Sequence, residues 1–345
     1  MHASIPMTTV GPIRITGNTL NEMLSVPLAT YETPLWPSVQ RGAKLSQLTC
    51  GIAVTVIDEC MTRSIAIEAH SAGQALAFWK NLQTKMADLK KVTQKTSRFA
   101  KLIEVQPQFV GRIIYLRCSF TTGDAAGHNM VTKAAEAIMQ WILKKYSGLR
   151  YISLSGNFCT DKKVSSVNNI LGRGKHVIAE MEISREICEK HLHSTVEKLV
   201  EINVKKNLLG SIAAGSLHSA NAHFANMLLA FYLATGQDGA NIIEGSQGIT
   251  YCEVTEKGLY FSVSIPNLII GTVGNGKDLT FVQKNLKNLG CLARRKPGEN
   301  ARRLAAIAAA TVLCGELSLL AALTRPTELM RTHVLLERKT NGKKT

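Results

Sequence analysis

Apolar residues recur along this chain with two different spacings, and these spacings predict its strands and helices. Alternating apolar and polar positions are typical of strands with one buried face, whereas apolar residues three or four apart are typical of amphipathic helices. The alternation predicts strands over residues 52–57, 109–120, 151–154 and 259–265. In the second of these, Ile114, Leu116, Cys118 and Phe120 share one face.

Helical spacing occupies most of the remaining chain. In residues 130–146, Met130, Ala134, Ile138 and Ile142 recur at every fourth position. Ser184 has the side chain of a helix N-cap. The spacing predicts helices over residues 74–89, 130–146, 184–200, 216–235 and 302–323, and a short helix near Thr327.

The apolar run 304–323 is about long enough to cross a bilayer. Glu316 and Gly315 interrupt it, however, and Arg302 and Arg303 precede it. A charged residue at the centre of a membrane helix is costly. We therefore predict a buried helix of a large soluble core, and no membrane span.

Strands and helices alternate differently in residues 65–149 than in the rest of the chain. This difference predicts a small domain, residues 65–149, inserted into a larger domain made of residues 1–64 and 150–345. Because both parts mix strands and helices, the predicted fold class is α+β.

Composition allows one large core or two modest ones, since 45% of the 345 residues are hydrophobic. The net charge is +16, from 41 basic and 25 acidic residues, which favours polyanionic ligands such as nucleic acid or a phosphate-rich cofactor. Only 6% of residues are aromatic, and none interleave with the basic runs as base-stacking side chains would. A non-catalytic, basic nucleic-acid-binding protein is thus an alternative that the charge alone supports.

The eight cysteines are spread singly, with no CxxC pair, so we expect neither a zinc site nor a disulfide framework. Reduced thiols suit a cytoplasmic protein. The nine histidines show no HExxH spacing, and we expect no metal site. The N-terminus lacks the charged and apolar regions of a secretion signal.

The stretch GTVGNGKD, residues 271–278, matches the G-x-x-x-x-G-K pattern of a phosphate-binding loop. Asp278 stands where that loop needs Ser or Thr for Mg²⁺, so an NTP site is not expected. The chain contains no GxGxxG, and a dinucleotide would have to be held in another way. It also lacks a GxSxG nucleophile elbow.

The densest group of polar side chains lies in SGNFCTDKKVSSVNNILGRGKHV, residues 155–177. Asp161, Lys162 and Lys163 stand side by side just after Asn157. A positioned ammonium stabilises negative charge where it develops, so the turn suits an anion or an oxyanion. From spacing alone, a solvated surface turn is an equal alternative.

The same turn resembles the signature of hydroxymethylglutaryl-CoA reductases of class I. The resemblance continues from Ser4 to about Leu336. Its further motifs are LATYETPLWPSVQRGAK (28–44), TSRF (96–99), GDAAGHNMVTKAAE (123–136), INVKKNLLGSIAAGSLHSANAHFAN (202–226), ATGQDGAN (234–241), PNLIIGTVGNGKDL (266–279), PGENARRLAAIAAATVLCGELSLLAAL (297–323) and RTHV (331–334).

The resemblance implies an NADPH-dependent, four-electron reduction of 3-hydroxy-3-methylglutaryl-CoA to mevalonate and CoA in isoprenoid synthesis. It implies a large discontinuous α/β substrate domain with an inserted, ferredoxin-like, NADP-binding domain. It further implies a cytoplasmic homodimer, or a dimer of dimers, with active sites at the subunit interface and with neither nucleic acid nor a membrane as partner.

Four catalytic residues follow from the resemblance, each at a matching motif position. Glu32 would donate a proton to the substrate oxygen, and Lys162 would stabilise the oxyanion of the hemithioacetal. Asp238 would link the two and tune their pKa values. His333 would protonate the departing CoA thiolate.

The resemblance also implies binding residues. Contacts to the substrate carboxylate and hydroxyl, and to CoA, would come from Arg63, Ser155, Asn157, Lys163, Lys206 and Asn226, with Arg41 and Lys44 along the CoA path. Contacts to the cofactor would come from Asp124, Asn129, Val273, Gly274 and Gly276, with Ser97 and Arg98 at the 2′-phosphate.

Three departures qualify the match. Ala126 and His128 replace methionines that are usual in the family's cofactor signature, and Gly274-Asn275-Gly276 replaces its usual triple glycine. The match begins near Ser4, without the family's N-terminal helical part and membrane anchor, so we expect either a naturally short soluble form or a truncated sequence. A class II-like enzyme that uses NADH in the oxidative direction is the nearest alternative, and Ser97 and Arg98 disfavour it. A catalytically inactive relative is disfavoured because no catalytic residue is missing.

Overall fold

The strands of the described chain form one mixed sheet. A computed structural model describes residues 3–216 and 218–335. Within these residues the strands are β1 (Met7–Gly17), β2 (Glu22–Ala29), β3 (Ile52–Glu68), β4 (Lys101–Val110), β5 (Ile113–Thr121), β6 (Arg150–Ser153), β7 (Gly174–Ile183), β8 (Ile249–Thr255) and β9 (Gly258–Leu268).

Helices pack on the sheet and connect its strands. In the same described residues they are α1 (Leu35–Leu48), α2 (Ala72–Gln83), α3 (Met86–Gln94), α4 (His128–Lys145), α5 (Ser166–Leu171), α6 (Arg185–Ile187), α7 (Val196–Ile202), α8 (Ser211–Ala213), α9 (Phe224–Ala234), α10 (Ile242–Gly245), α11 (Thr280–Asn288), α12 (Glu299–Leu323) and α13 (Glu328–His333). Two π-helical segments, Cys188–Leu192 and Asn203–Gly210, and a 3₁₀ turn, Gly239–Asn241, complete them.

The 17-residue strand β3 belongs to both parts of the sheet. Its first half pairs with β1 in parallel and with β7 in antiparallel orientation. Its second half pairs with β5 and β6, both antiparallel. The sheet order β2-β1-β3-β7-β9-β8 therefore continues, through β3, into the smaller group β4-β5-β3-β6.

Two separate clusters of buried apolar side chains lie against the two halves of β3. One cluster draws on residues 61–142, together with Ile269. The other contains the apolar faces of β1, β2, β7, β9, α1, α9 and α12. The mixture of strands and helices confirms the predicted α+β class, while the domain boundaries at 64/65 and 149/150 stay predictions.

Helix α12 is the central helix of the larger cluster. Among the described residues it alone is long and apolar enough to span a membrane, judged by length and composition. Of its most apolar stretch of 18 residues, 94% is buried inside the protein. It packs against α1, α9 and the sheet. The prediction of a buried core helix is confirmed.

Two predicted elements of the smaller part have different bounds in the structure. The helix predicted over 74–89 is two helices, α2 and α3, because the chain turns at Thr84 and Lys85. The strand predicted over 109–120 begins at the end of β4 and continues into β5. Gly111, with a φ of 56°, makes the hairpin turn between them.

Two predicted helices of the larger part are wrong in extent. Ser184 caps the predicted 184–200 helix as expected, accepting from the Ile187 N–H, but His193, with a φ of 53°, interrupts the helix. The helix predicted over 216–235 is only α9, Phe224–Ala234. The preceding backbone is non-helical because its N–H groups bond to side chains: Asn221 accepts from Phe224, and Glu316 accepts from Ala222 and His223.

Candidate active site

The turn between β6 and α5 has a strained backbone. Asn157, Thr160 and Lys162 all have positive φ values, of 60°, 40° and 56°. Residues other than glycine adopt this region at a cost, which the surrounding structure must offset. Such strain is common where a side chain has to point into a functional cleft.

A buried guanidinium and a buried carboxylate hold this turn. Arg173 and Glu244 are both fully buried, and Arg173 Nη1 lies 2.7 Å from Glu244 Oε1. Arg173 Nη2 donates to Asp161 Oδ1 at 2.9 Å, and Glu244 Oε1 accepts from the Lys162 N–H at 3.0 Å. Burial raises the pKa of Glu244 above its usual value, even beside Arg173. The two side chains therefore fix the backbone on both sides of Lys162.

Lys162 and Asp238 form an ion pair, with Nζ 2.7 Å from Oδ2. The hydrogen bond to Asp238 raises the pKa of the Lys162 ammonium above its ordinary value. Partial burial alone would raise the pKa of Asp238, but hydrogen bonds from Lys162 and from the Ala240 N–H hold it below its ordinary value. The lysine is therefore a full cation at neutral pH.

This pair opens into a cleft of about 500 Å³, which we call the lysine cleft. Its walls include Arg63, His128, Asn129, Asp161 and Gln237, and the loop Val273–Asn275. Burial, together with the nearby Arg173 guanidinium, lowers the pKa of His128 to about 4, so its ring is neutral at pH 7. The cleft thus combines a cation, carboxylates and a neutral imidazole.

Glu32 lies in a different cleft of the same chain. This glutamate cleft, of about 390 Å³, is lined by Glu32, Arg41, His223 and Asn226 and by residues of α12. His223 Nε2 is 2.9 Å from the Gly315 carbonyl oxygen, and Asn226 Nδ2 is 3.4 Å from His223 Nδ1. The lysine cleft and the glutamate cleft share no lining residue among those described.

Other predicted substrate residues are divided between these clefts and the surface. Arg63, only 8% exposed, donates to Ser155 Oγ at 3.3 Å and lies 3.9 Å from Asp161 Oδ2. The exposed Lys163 donates to the Asp161 carbonyl at 3.1 Å. Lys206 lies in a shallow groove beside Thr324, and Lys44 lies in an open groove that continues from Arg41.

Some of the predicted cofactor residues border the other side of the lysine cleft, but Asp124, Ser97 and Arg98 do not. Asn129, Val273 and Gly274 line it, and Gly276 follows on the same loop. The Asp124 carboxylate instead accepts from the Ala301 N–H at 3.0 Å, in the first turn of α12. In this structure Asp124 therefore links the 123–129 turn to α12.

The predicted 2′-phosphate residues lie close to that turn. Ser97 Oγ accepts from the Phe99 N–H, and the exposed Arg98 guanidinium lies 4.8 Å from the centre of the Phe99 ring. A Cβ built on Gly123 would be 3.3 Å from that ring. Within the described residues, Arg98 has no carboxylate within ion-pair distance, so its charge is available to an anion.

A family model described as hydroxymethylglutaryl-coenzyme A reductase matches residues 2–338. The chain belongs to this family. The reductase of Pyrococcus abyssi is 46% identical over 338 residues, which cover 97% of this chain and 82% of that protein. The reductase of Aeropyrum pernix is 44% identical, with 97% and 79% covered. The family and the prediction of an oxidoreductase are confirmed.

Solved reductase structures share the fold. The class II reductase of Streptococcus pneumoniae, described as bound to NADPH in open conformations, superposes with a TM-score of 0.74 at 18% identity. The superposition covers 94% of this chain and 86% of that one. At this identity, the likeness supports the α+β architecture of the reductase family.

His333 is the one predicted catalytic residue whose side chain lies outside the described residues. Its backbone belongs to α13, Glu328–His333. The role that the reductase resemblance implies for it stays a prediction.

Reasoning from the sequence missed several residues that organise the reductase site. Arg173 lies between two glycines in LGRGKH, within the 155–177 stretch, and no motif position pointed to it. Glu244 lies in a short helical turn outside every motif, and Lys277 belongs to the loop at which no NTP site was expected. A charged residue inside an otherwise apolar helix was the available signal for Glu316, which in the structure is fully buried.

Proposed function

We propose that the protein is a class I reductase that converts 3-hydroxy-3-methylglutaryl-CoA and NADPH to mevalonate and CoA in the cytoplasm. The observation that carries this proposal is the Lys162–Asp238 pair, 2.7 Å apart at the mouth of the lysine cleft. A lysine held as a cation suits a reaction in which negative charge develops on a carbonyl oxygen.

The residues of the lysine cleft fit a nicotinamide cofactor. Gly274 has a φ of 104°, and a Cβ built on it meets nothing within 4 Å, so a ligand can approach this backbone closely. Asn129 would hold the cofactor beside the loop, with Val273 and Gly276, and Ser97 with Arg98 would hold its 2′-phosphate. When bound, the cofactor supplies hydride for both reductions.

Lys162 would stabilise the oxygen anion of the hemithioacetal and then that of the alcohol. Asp238 keeps the ammonium protonated and pointed into the cleft, since its hydrogen bond raises the pKa of Lys162. Ser155, Asn157 and Lys163 from this turn, and Arg63 from β3, would bind the substrate carboxylate and hydroxyl. His333 would protonate the CoA thiolate as it leaves.

Glu32 would supply the proton, and its position supports an assembly of at least two copies. Because it lies in the glutamate cleft with Arg41 and Asn226, it would act on substrate held by Lys162 of a second copy. Lys206, Arg41 and Lys44 would bind the substrate and CoA from that side. We therefore propose a homodimer, or a dimer of dimers, whose inserted domain, residues 65–149, holds the cofactor.

Substitution of Arg98 tests whether the protein prefers NADPH to NADH. We expect Arg98→Ala to raise the KM for NADPH at least about tenfold, because the guanidinium pairs with the 2′-phosphate, and to leave the KM for NADH nearly unchanged. Initial rates with 3-hydroxy-3-methylglutaryl-CoA and each cofactor measure this. Arg185→Ala, which removes an exposed arginine paired with Glu197, is the charge-matched control.

Two results would contradict the proposal. Soluble, folded wild-type protein that oxidises neither cofactor in the presence of substrate is not a reductase of this kind. Oxidation of NADH alone would overturn the class I assignment, and equal effects of Arg98→Ala on both cofactors would remove the argument from the 2′-phosphate.

A further inference from the structure

The loop that matches a phosphate-binding pattern contains a buried lysine that the proposed mechanism does not use. Lys277 is 5% exposed and lines the lysine cleft. Its ammonium donates to the carbonyl oxygen of Gly236, two residues before Asp238. No described carboxylate lies within ion-pair distance of it. The backbone carbonyl is therefore its partner.

The loop Gly271–Lys277 is also hydrogen-bonded to Gln237, the residue next to Asp238. The Gln237 side chain donates to the Gly271 carbonyl and accepts from the Gly271 N–H, both at 3.0 Å. Gly236, with a φ of 64°, lies so close to the loop that a Cβ there would be 2.3 Å from the Gly276 oxygen. The residues that precede Asp238 thus lie directly on the loop.

On its other side, the same loop is bonded to the proposed cofactor turn. The Thr272 N–H donates to the Asp124 carbonyl at 2.8 Å, and Val273 forms a parallel bridge with Ala125. A single loop therefore connects the backbone beside Asn129 with the backbone beside Asp238. These hydrogen bonds give a path by which a shift on one side would displace the other.

We propose that Lys277 is a positioning residue that fastens the Asp238 turn to the cofactor loop and so sets the geometry of the Lys162–Asp238 pair. This inference rests on the proposed function, because it assigns Lys277 a role in the same reaction. Lys277 acts through Gly236 and Asp238, without touching the reacting atoms. A small displacement of a catalytic pair lowers turnover more than it lowers binding.

The ammonium also gives this contact a pH dependence. Burial lowers the pKa of Lys277 to about 8. A charged donor makes a stronger hydrogen bond than a neutral amine, so the contact with Gly236 weakens as pH rises through this value. The lysine cleft also contains Asp161, His128, Lys162 and Asp238, and Asp278 follows Lys277 in the chain.

The shifted groups of the cleft titrate at other pH values. The pKa of His128 is about 4, that of Asp238 lies below its usual acidic value, and that of Lys162 lies above its usual alkaline value. A decline of turnover near pH 8 that the wild type shows, and that both Lys277→Met and Lys277→Arg lack, would thus report on Lys277.

The test compares wild type, Lys277→Met, Lys277→Arg and the control Lys284→Met, which changes an exposed lysine on α11. For each, kcat and the KM for NADPH and for 3-hydroxy-3-methylglutaryl-CoA are measured from about pH 6 to about pH 10. We expect Lys277→Met to lower kcat about tenfold with both KM values within about twofold, and to lose the decline near pH 8. We expect Lys277→Arg, which keeps a charged donor, to retain most of kcat without that decline, and Lys284→Met to match the wild type.

Several outcomes would overturn the inference and leave the proposed function standing. These are an active wild type with a flat profile through pH 8, full kcat in Lys277→Met, or a decline near pH 8 that persists in Lys277→Arg. If Lys277→Met does not fold, the dependence of kcat on pH in the wild type and in Lys277→Arg still tests the inference. A folded wild type without substrate-dependent oxidation would instead refute the proposed function itself.

Discussion

The guanidinium of Arg173 joins two carboxylates from distant parts of the chain, Asp161 and Glu244. Removing one member of a buried pair leaves an uncompensated charge, which costs about 3–5 kcal/mol. We therefore expect Arg173→Met to lower the free energy of unfolding by about that amount, measured by urea denaturation. Arg185→Met, which breaks an exposed pair with Glu197, should have a much smaller effect, and equal effects of the two substitutions would show that Arg173 does not stabilise the turn.

At the scale of single residues, the sequence predicted the side chains that would do the chemistry better than the residues that hold them in place. Lys162 and Asp238 could be paired by family resemblance, and the structure brings them to 2.7 Å. Arg173 and Glu244 could not be paired, because they are 71 residues apart in the chain and neither lies in a periodic pattern. Asp124 was expected at the cofactor; its carboxylate accepts from the first turn of α12, and its role toward the cofactor stays a prediction.

Among the elements, α12 does more than fill the core, because Glu316 on it binds the segment before α9. Its carboxylate accepts from the Ala222 N–H at 2.6 Å, the His223 N–H at 3.0 Å and Thr250 Oγ1 at 2.8 Å. Hydrogen bonds to a buried charged group contribute about 1.5–3 kcal/mol each.

We expect Glu316→Gln to lower the free energy of unfolding by about 2–4 kcal/mol, because the amide nitrogen can accept none of these bonds. Amide hydrogen exchange should increase first at Ala222 and His223. The exposed Glu253→Gln is the control. Unchanged exchange at these two amides would contradict this account of α12.

The hydrogen bond from the Ala222 N–H to Glu316 shows why some elements could be predicted from the sequence and others could not. Alternation predicted β9 and most of β5, because successive side chains of a strand point to opposite faces of the sheet. The helix predicted over 216–235 was too long, since a carboxylate 94 residues away bonds the Ala222 N–H. Hydrophobic spacing contains no information about such a partner, whereas the bond from the Phe224 N–H to the Asn221 side chain, three residues earlier, is local in the sequence.

In the whole molecule, the residues of the predicted active site lie in two separate clefts. The resemblance implied an active site at a subunit interface with Glu32, Lys162 and Asp238, and one chain brings together only the last two. A twofold dimer presents the same surface from both subunits, so the glutamate cleft of one copy can face the lysine cleft of the other. The proposed reaction needs both.

Complementation between two inactive variants tests this claim most directly. Glu32→Gln and Lys162→Ala subunits carrying different tags are co-expressed, and the heterodimer is purified and assayed for substrate-dependent NADPH oxidation. If the site combines two copies, the heterodimer has one intact site of two and recovers about half of the wild-type activity, while both homodimers stay inactive. A heterodimer as inactive as the homodimers would contradict the shared site and return Glu32 and Lys162 to a single chain.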